Sequence, residues 1–288
     1  MTKAGPNAAP DAINSSCRGP LLMLFISAAV WLVVGSAFGL IASLKFHLPS
    51  LLADHAWLSY GRVRPAYLNC VLYGFCVQAG LGATLWLFAR LGRAPLAQSW
   101  LVFLGGAAWN LGVTLGIGGI LLGDSTGFDT LEMPSYAALL AFIGYLLIGI
   151  SATVTLHQRQ ERSLFVSQWF LLAALFWFPW IYSTADLLLV QFPVRGVTQA
   201  VIAWWYANNL QTVWMGLAGL AAGFYLIPKL INRELHNYYL ALFTFWTLVL
   251  FSSWAGIPET APVPAWLPTA STAATALTIL PILAVALN

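Results

Sequence analysis

The residues in this sequence with the most capacity for chemistry at depth are amides. Asn208 and Asn209 sit beside Trp204, Trp205 and Tyr206 in AVIAWWYANNLQTVW (200–214), a stretch otherwise apolar enough for a membrane interior. A carboxamide donates and accepts hydrogen bonds but is a poor ligand for copper. Asn208, Gln211 and Thr212 recur at i, i+3 and i+4, which predicts one polar helix face. An unpaired amide in hydrocarbon is costly, so that face must turn to protein or water. Asn69, Gln78, Asn110, Gln168, Ser252 and Ser253 complete the set of polar residues within apolar segments. Ionisable groups, which mark proton and ion paths at mid-membrane, are almost absent there. Asp186 comes nearest and lies late in its segment.

The remaining candidate ligands point to no metal centre. His47, His55, His157 and His236 fall in loops or at segment ends, whereas haem and copper sites in helix bundles take imidazoles from facing helices. Cys17, Cys70 and Cys76 have neither a disulfide framework nor zinc-ligand spacing and read as buried small apolar residues. Phosphate-loop, HExxH and dinucleotide motifs are missing.

These residues belong to a chain that is 60% hydrophobic and 7% charged, against about a quarter charged in a soluble domain. That composition predicts an integral membrane protein in a lipid bilayer. The twelve Lys and Arg occur in ones and twos, which excludes a nucleic-acid surface. Residues 1–19 are polar and small, as in a disordered cytoplasmic tail. The apolar run after it, about 25 residues, exceeds a signal-peptide core of roughly 7 to 15 and reads as a first span. Residues 20–288 then read as a single all-α transmembrane domain. Its eight spans are 20–46, 66–90, 98–122, 135–157, 163–190, 197–228, 237–257 and 266–288, each long enough for a hydrocarbon core of about 30 Å. With the N-terminus in the cytoplasm, eight of the twelve basic residues fall inside, and the acidic loop GDSTGFDTLEMP (123–134) falls outside. An even span count returns the C-terminus to the cytoplasm, where PILAVALN ends without a polar tail, as in a truncated copy. Gly112, Gly116, Gly119 and Gly123, and Gly219 and Gly223, recur at helix spacing and predict close helix contacts. Trp177, Trp180, Trp204, Trp205, Trp214 and Trp246 read as interior-facing rings that fill space.

GRVRPAYLNCVLYGF (61–75), SQWFLLAALFWFPWIYS (167–183), WWYANN (204–209), GLAAGFYLIPKLINRELHNYYLALFTFW (219–246) and SSWAGIP (252–258) together resemble subunit I of the haem-copper oxidases, nearest the cbb3 type. The resemblance runs in order along nearly the whole chain after residue 25. It implies a copy of the first eight of twelve helices, in an aerobic electron-transport context where the family reduces oxygen at haem b and copper and pumps protons. It also implies that the ligands have been exchanged. The family's RPxH motif, which supplies a low-spin haem histidine, reads Arg64-Pro65-Ala66-Tyr67. Its WWYGHN motif, which supplies a copper histidine, has Asn208 there, and its WAGPHH pair falls on Pro258 and Glu259. The cross-linked tyrosine position falls on Ser252, and two further haem histidines belong to a tenth helix.

The residues therefore imply no bound metal or cofactor. A phenolate at Tyr67 is chemically able to ligate ferric haem, and Glu259 a hard cation. Arg62 and Arg64 suit haem propionates or, equally, an interfacial anchor. The expected function is a non-catalytic scaffold or accessory subunit in the bacterial inner membrane, with respiratory subunits such as c-type cytochromes as partners. The alternatives are part of a working oxidase with unusual ligands or helices from another chain, a small-molecule or ion pathway, and a non-functional truncated product.

Overall fold

Hydrocarbon offers a backbone no hydrogen bonds, so a spanning segment must satisfy its own amides, and a helix does so along its length. The computed structural model describes residues 10–288, and among these every regular element is helical. The helices fall into two units, residues 1–162 and 163–288.

In the first unit α1 covers Pro10–His47, and α2 (Tyr60–Asn69) continues through a π-helical stretch, Cys70–Val77, into α3 (Gln78–Gly92). Then follow α4 (Ser99–Leu122) and α5 (Ser135–His157). Residues 1–9 of the expected tail lie outside the described residues. Residues 10–19, expected in that tail, form the first turns of α1, with Pro10 at the first helical position that its fixed φ suits. The second unit holds α6 (Val166–Asp186) with a π turn after it, then α7 (Thr198–Asn208). A second π-helical stretch, Asn209–Trp214, leads into α8 (Met215–Ile231), followed by α9 (Tyr238–Ser252), α10 (Trp266–Leu277) and α11 (Ile279–Leu287).

Among the described residues, seven continuous helical runs are long and apolar enough to cross a membrane. The expected span over 237–257 is α9, and it has 15 residues. At 1.5 Å per residue it covers about 22 Å of a core of about 30 Å. It stops at Ser252 because the chain turns at Gly256, whose φ of +98° favours glycine.

Packing in the first unit depends on bare backbone. A Cβ on Gly144 of α5 would lie 2.6 Å from the Gly105 carbonyl and 2.7 Å from the Trp109 nitrogen of α4. Beside this contact Trp109 is buried and donates to the Tyr73 carbonyl at 3.0 Å. Gly112 of the predicted glycine row meets Ala141 in the same way, and Gly116 and Gly119 lie against Met133 and Pro134. Gly219 and Gly223 behave differently. No neighbouring group comes within 4 Å of a Cβ built at Gly219, and Gly223 reaches Ile227 of its own helix alone. Helical spacing identified both pairs, but spacing does not say which face meets a partner.

A polar knot joins α1, α3 and α4. Ser27 Oγ donates to Gln78 Oε1 (2.6 Å), Asn110 Nδ2 donates to the same oxygen (3.0 Å), and Trp31 Nε1 donates to Asn110 Oδ1 (2.9 Å). Gln78 Nε2 closes the set on the Gly74 carbonyl at 2.7 Å. Each side chain would be costly alone in lipid, and together they leave no amide oxygen bare. Cys17 and Cys70 are buried and Cys76 is half-buried, all as free thiols.

Gly144→Val drives two methyl groups into α4 backbone that cannot yield and is expected to cost about 1–3 kcal/mol or more. Gly219→Val should leave stability within about 0.5 kcal/mol. Thermal unfolding of the two variants in detergent checks the difference.

Candidate functional site

The amides at Asn208 and Asn209 close the gap between α7 and the end of α9. A helix leaves its last carbonyls without intrahelical donors. At the end of α9 those carbonyls are met from the side. Asn208 Nδ2 donates to the Ser252 carbonyl at 2.6 Å, and Asn209 Nδ2 donates to the Ser253 carbonyl at 3.1 Å. Asn209 Nδ2 also reaches its own helix at the Trp205 carbonyl (2.9 Å), while its oxygen accepts from Trp177 Nε1 of α6 at 3.1 Å. Thr212 Oγ1 donates to Asn208 Oδ1 at 3.2 Å. Three helices are thereby stapled through two adjacent side chains. Gly256 completes the contact, because a Cβ there would fall on the Asn208 side chain.

The residues of the predicted polar face lie together, with Thr212 bonded to Asn208, and the face turns outward: Gln211 and Thr212 are exposed and Asn208 is half-buried. Asn209, outside that face, is fully buried with Leu210, Val213 and Trp214 in the π-helical stretch that it begins. Of the six tryptophans read as interior, Trp214 is buried and Trp177, Trp204 and Trp205 are half-buried. Trp180 and Trp246 are 50% and 63% exposed. Trp109, buried in the first unit, carried no polar or motif signal that would single it out.

The other candidate positions offer metals little. Ser252 is buried, and its hydroxyl has no hydrogen-bond partner. Pro258 has no side-chain donor atom. Glu259 is exposed and accepts from Thr272 Oγ1 at 3.1 Å. Around the α9 turn the available donors are backbone carbonyls, amides and one carboxylate, a set that does not suit copper. Among the described residues no three of His, Cys, Asp and Glu gather closely enough to hold a metal ion. Tyr67 of the first unit is half-buried, and its ring lies over Gly39 of α1, 3.2 Å from where a Cβ would be.

The paired arginines are engaged with the loop between α4 and α5. Arg62 donates to the Leu121 carbonyl at 3.1 Å. Arg64 approaches Asp129 at 3.6 Å with both side chains substantially exposed, a pair that contributes little in water.

Among the described residues, wholly helical structure with seven helical runs long and apolar enough to span a bilayer defines a polytopic membrane protein. The sequence profile described as "Cytochrome C and Quinol oxidase polypeptide I" matches residues 20–288, and the chain belongs to that family. It is 27% identical over 251 residues to a cytochrome c oxidase subunit 1 homolog of Azorhizobium caulinodans, covering 82% of this chain and 44% of the relative. Against a bacteroid subunit 1 homolog of Bradyrhizobium diazoefficiens it is 28% identical, over 83% of this chain and 45% of the relative. Against the cbb3-type cytochrome c oxidase subunit CcoN1 of Stutzerimonas stutzeri it is 26% identical, over 80% and 50%. The chain thus spans about half the length of these curated relatives.

Asn209→Leu removes a donor from the Ser253 carbonyl and an acceptor from Trp177 Nε1. A loss of about 1–3 kcal/mol is expected, read as a lower unfolding temperature in detergent, with exposed Gln211→Leu as the near-neutral comparison.

Proposed function

We propose that this chain is a non-catalytic member of the oxidase subunit I family that serves as a membrane scaffold or accessory subunit of a respiratory complex. The observation that carries the reading is the bond from Asn208 Nδ2 to the Ser252 carbonyl. At the position where the resemblance expects a copper histidine, the side chain is committed to holding α7 against α9. Tyr67, packed over Gly39, and Pro258, with no donor atom, support it from the other positions. The protein's role is then to present helix surfaces to partners, for which c-type cytochrome subunits are the first candidates. The distribution of basic residues supports a cytoplasmic N-terminus, and a cytoplasmic C-terminus with α9 counted as an eighth crossing, while the bacterial relatives support the inner membrane.

A second reading has its own observation. The chain covers half of its relatives' length, so helices from elsewhere would be needed for a complete oxygen-reducing centre.

Purified from detergent, the protein should give a flat reduced-minus-oxidised visible spectrum and contain no stoichiometric copper or iron. Partner redox subunits should co-purify at native expression. A stoichiometric haem band in the isolated chain, or recovery as a lone monomer at native expression, would sink the scaffold reading.

A further inference from the structure

Several buried polar atoms have no hydrogen-bond partner, among them Asn69 Oδ1 and Thr130 Oγ1, and the first of these sits beside a buried acid. Glu132, in the loop between α4 and α5, is 3% exposed, and Asn69 on α2 is fully buried beside it. Asn69 Nδ2 donates to the Pro65 carbonyl (2.9 Å) and to Glu132 Oε2 (2.8 Å). The Pro65 carbonyl fixes which way the amide faces, because the reverse orientation would set oxygen against oxygen. Asn69 Oδ1 is then left buried with no donor. A buried acceptor without a donor costs about 1–3 kcal/mol.

We infer that Glu132 is carried as the neutral acid, its carboxyl O–H donating to Asn69 Oδ1 while Asn69 Nδ2 donates back to Glu132 Oε2. One proton thereby closes a two-bond acid–amide pair and latches the loop onto α2. The surroundings favour that proton. Burial pushes the Glu132 carboxyl above the usual carboxylate range and the Asp129 charge adds to it, against the Asn69 amide and nearby backbone hydrogen bonds. The arginines nearby on α2 are engaged elsewhere, Arg64 with Asp129 and Arg62 with the Leu121 carbonyl. Asp124, the loop's other acid, pairs with the Tyr136 hydroxyl of α5.

The loop's shape agrees with a latch. Tyr73 Oη donates to the Thr130 carbonyl, and Thr126 Oγ1 donates to the Leu131 carbonyl at 2.6 Å. Thr130 is held at φ +65°, where a β-branched residue persists only if its neighbours fix it.

The sign of the pH dependence follows. A carboxyl with a raised folded-state value stabilises the fold fully below its ordinary value, and that stability is lost as pH rises through the raised one.

The test is infrared spectroscopy of the full chain in nanodiscs, with glutamate labelled with carbon-13 at the side-chain carboxyl. Of the four glutamates, Glu132 alone is buried, since Glu161 is half-buried and Glu234 and Glu259 are exposed. A labelled carboxylic-acid C=O band should persist at neutral pH, vanish in E132Q, and convert to carboxylate only well above the ordinary glutamate value of about 4.3. The wild-type melting temperature should fall as pH rises through that conversion, while E132Q, whose amide supplies the same donor and acceptor, should stay level. A neutral-pH spectrum without a labelled acid band overturns the latch, as does a band that E132Q leaves in place. If E132Q does not fold, the wild-type titration decides alone.

Discussion

A polar group that enters the hydrocarbon is costly unless it finds a partner inside the protein, and the two units supply partners for their central amides with different chemistry. In the first, four side chains from three helices bond to one another around Gln78 and Asn110. In the second, two amides bond to backbone at the free end of α9. Close backbone packing depends instead on small residues, and the approach of Gly144 to Gly105 works because neither carries a Cβ.

The same constraint explains what an exchanged ligand can become. An imidazole that binds a metal satisfies its lone pair at the ion and its N–H elsewhere. A carboxamide in its place still needs acceptors, and the nearest are carbonyls that a helix end cannot satisfy by itself. At Asn208 the amide acts as a cap on the end of α9. It helps to hold the α7, α9 and Gly256 contact, while a charged or unpartnered substitute would have opened it.

Much of the fold was legible because hydropathy and helix length are local properties. Five of the eight expected spans correspond closely to observed helical runs, while the first begins at Pro10 rather than 20 and the second at Tyr60 rather than 66. The short α9 was less legible, since the turn that ends it depends on Gly256 meeting Asn208, a contact between residues far apart in sequence. At the site, the sequence pointed to the pair of asparagines and to a shared face of Asn208, Gln211 and Thr212, but not to the burial of Asn209. The π-helical register starting at Asn209 has no signature in residue spacing, and it decides that Asn209 is buried while Gln211 is exposed. Asn69 and Glu132 share the difficulty, being 63 positions apart, with an ordinary loop acid as the visible half.

The knot around Gln78 also sets an order of events during biosynthesis. The chain is made from its N-terminus, so α1 and α3 enter the bilayer before α4 has been synthesised. At that stage Gln78 has Ser27 and the Gly74 carbonyl, and Trp31 has no Asn110 to receive its N–H. A helix pair in that condition lacks the acceptor for the Trp31 N–H, and the arrival of α4 with Asn110 closes the knot before α5 is added against it.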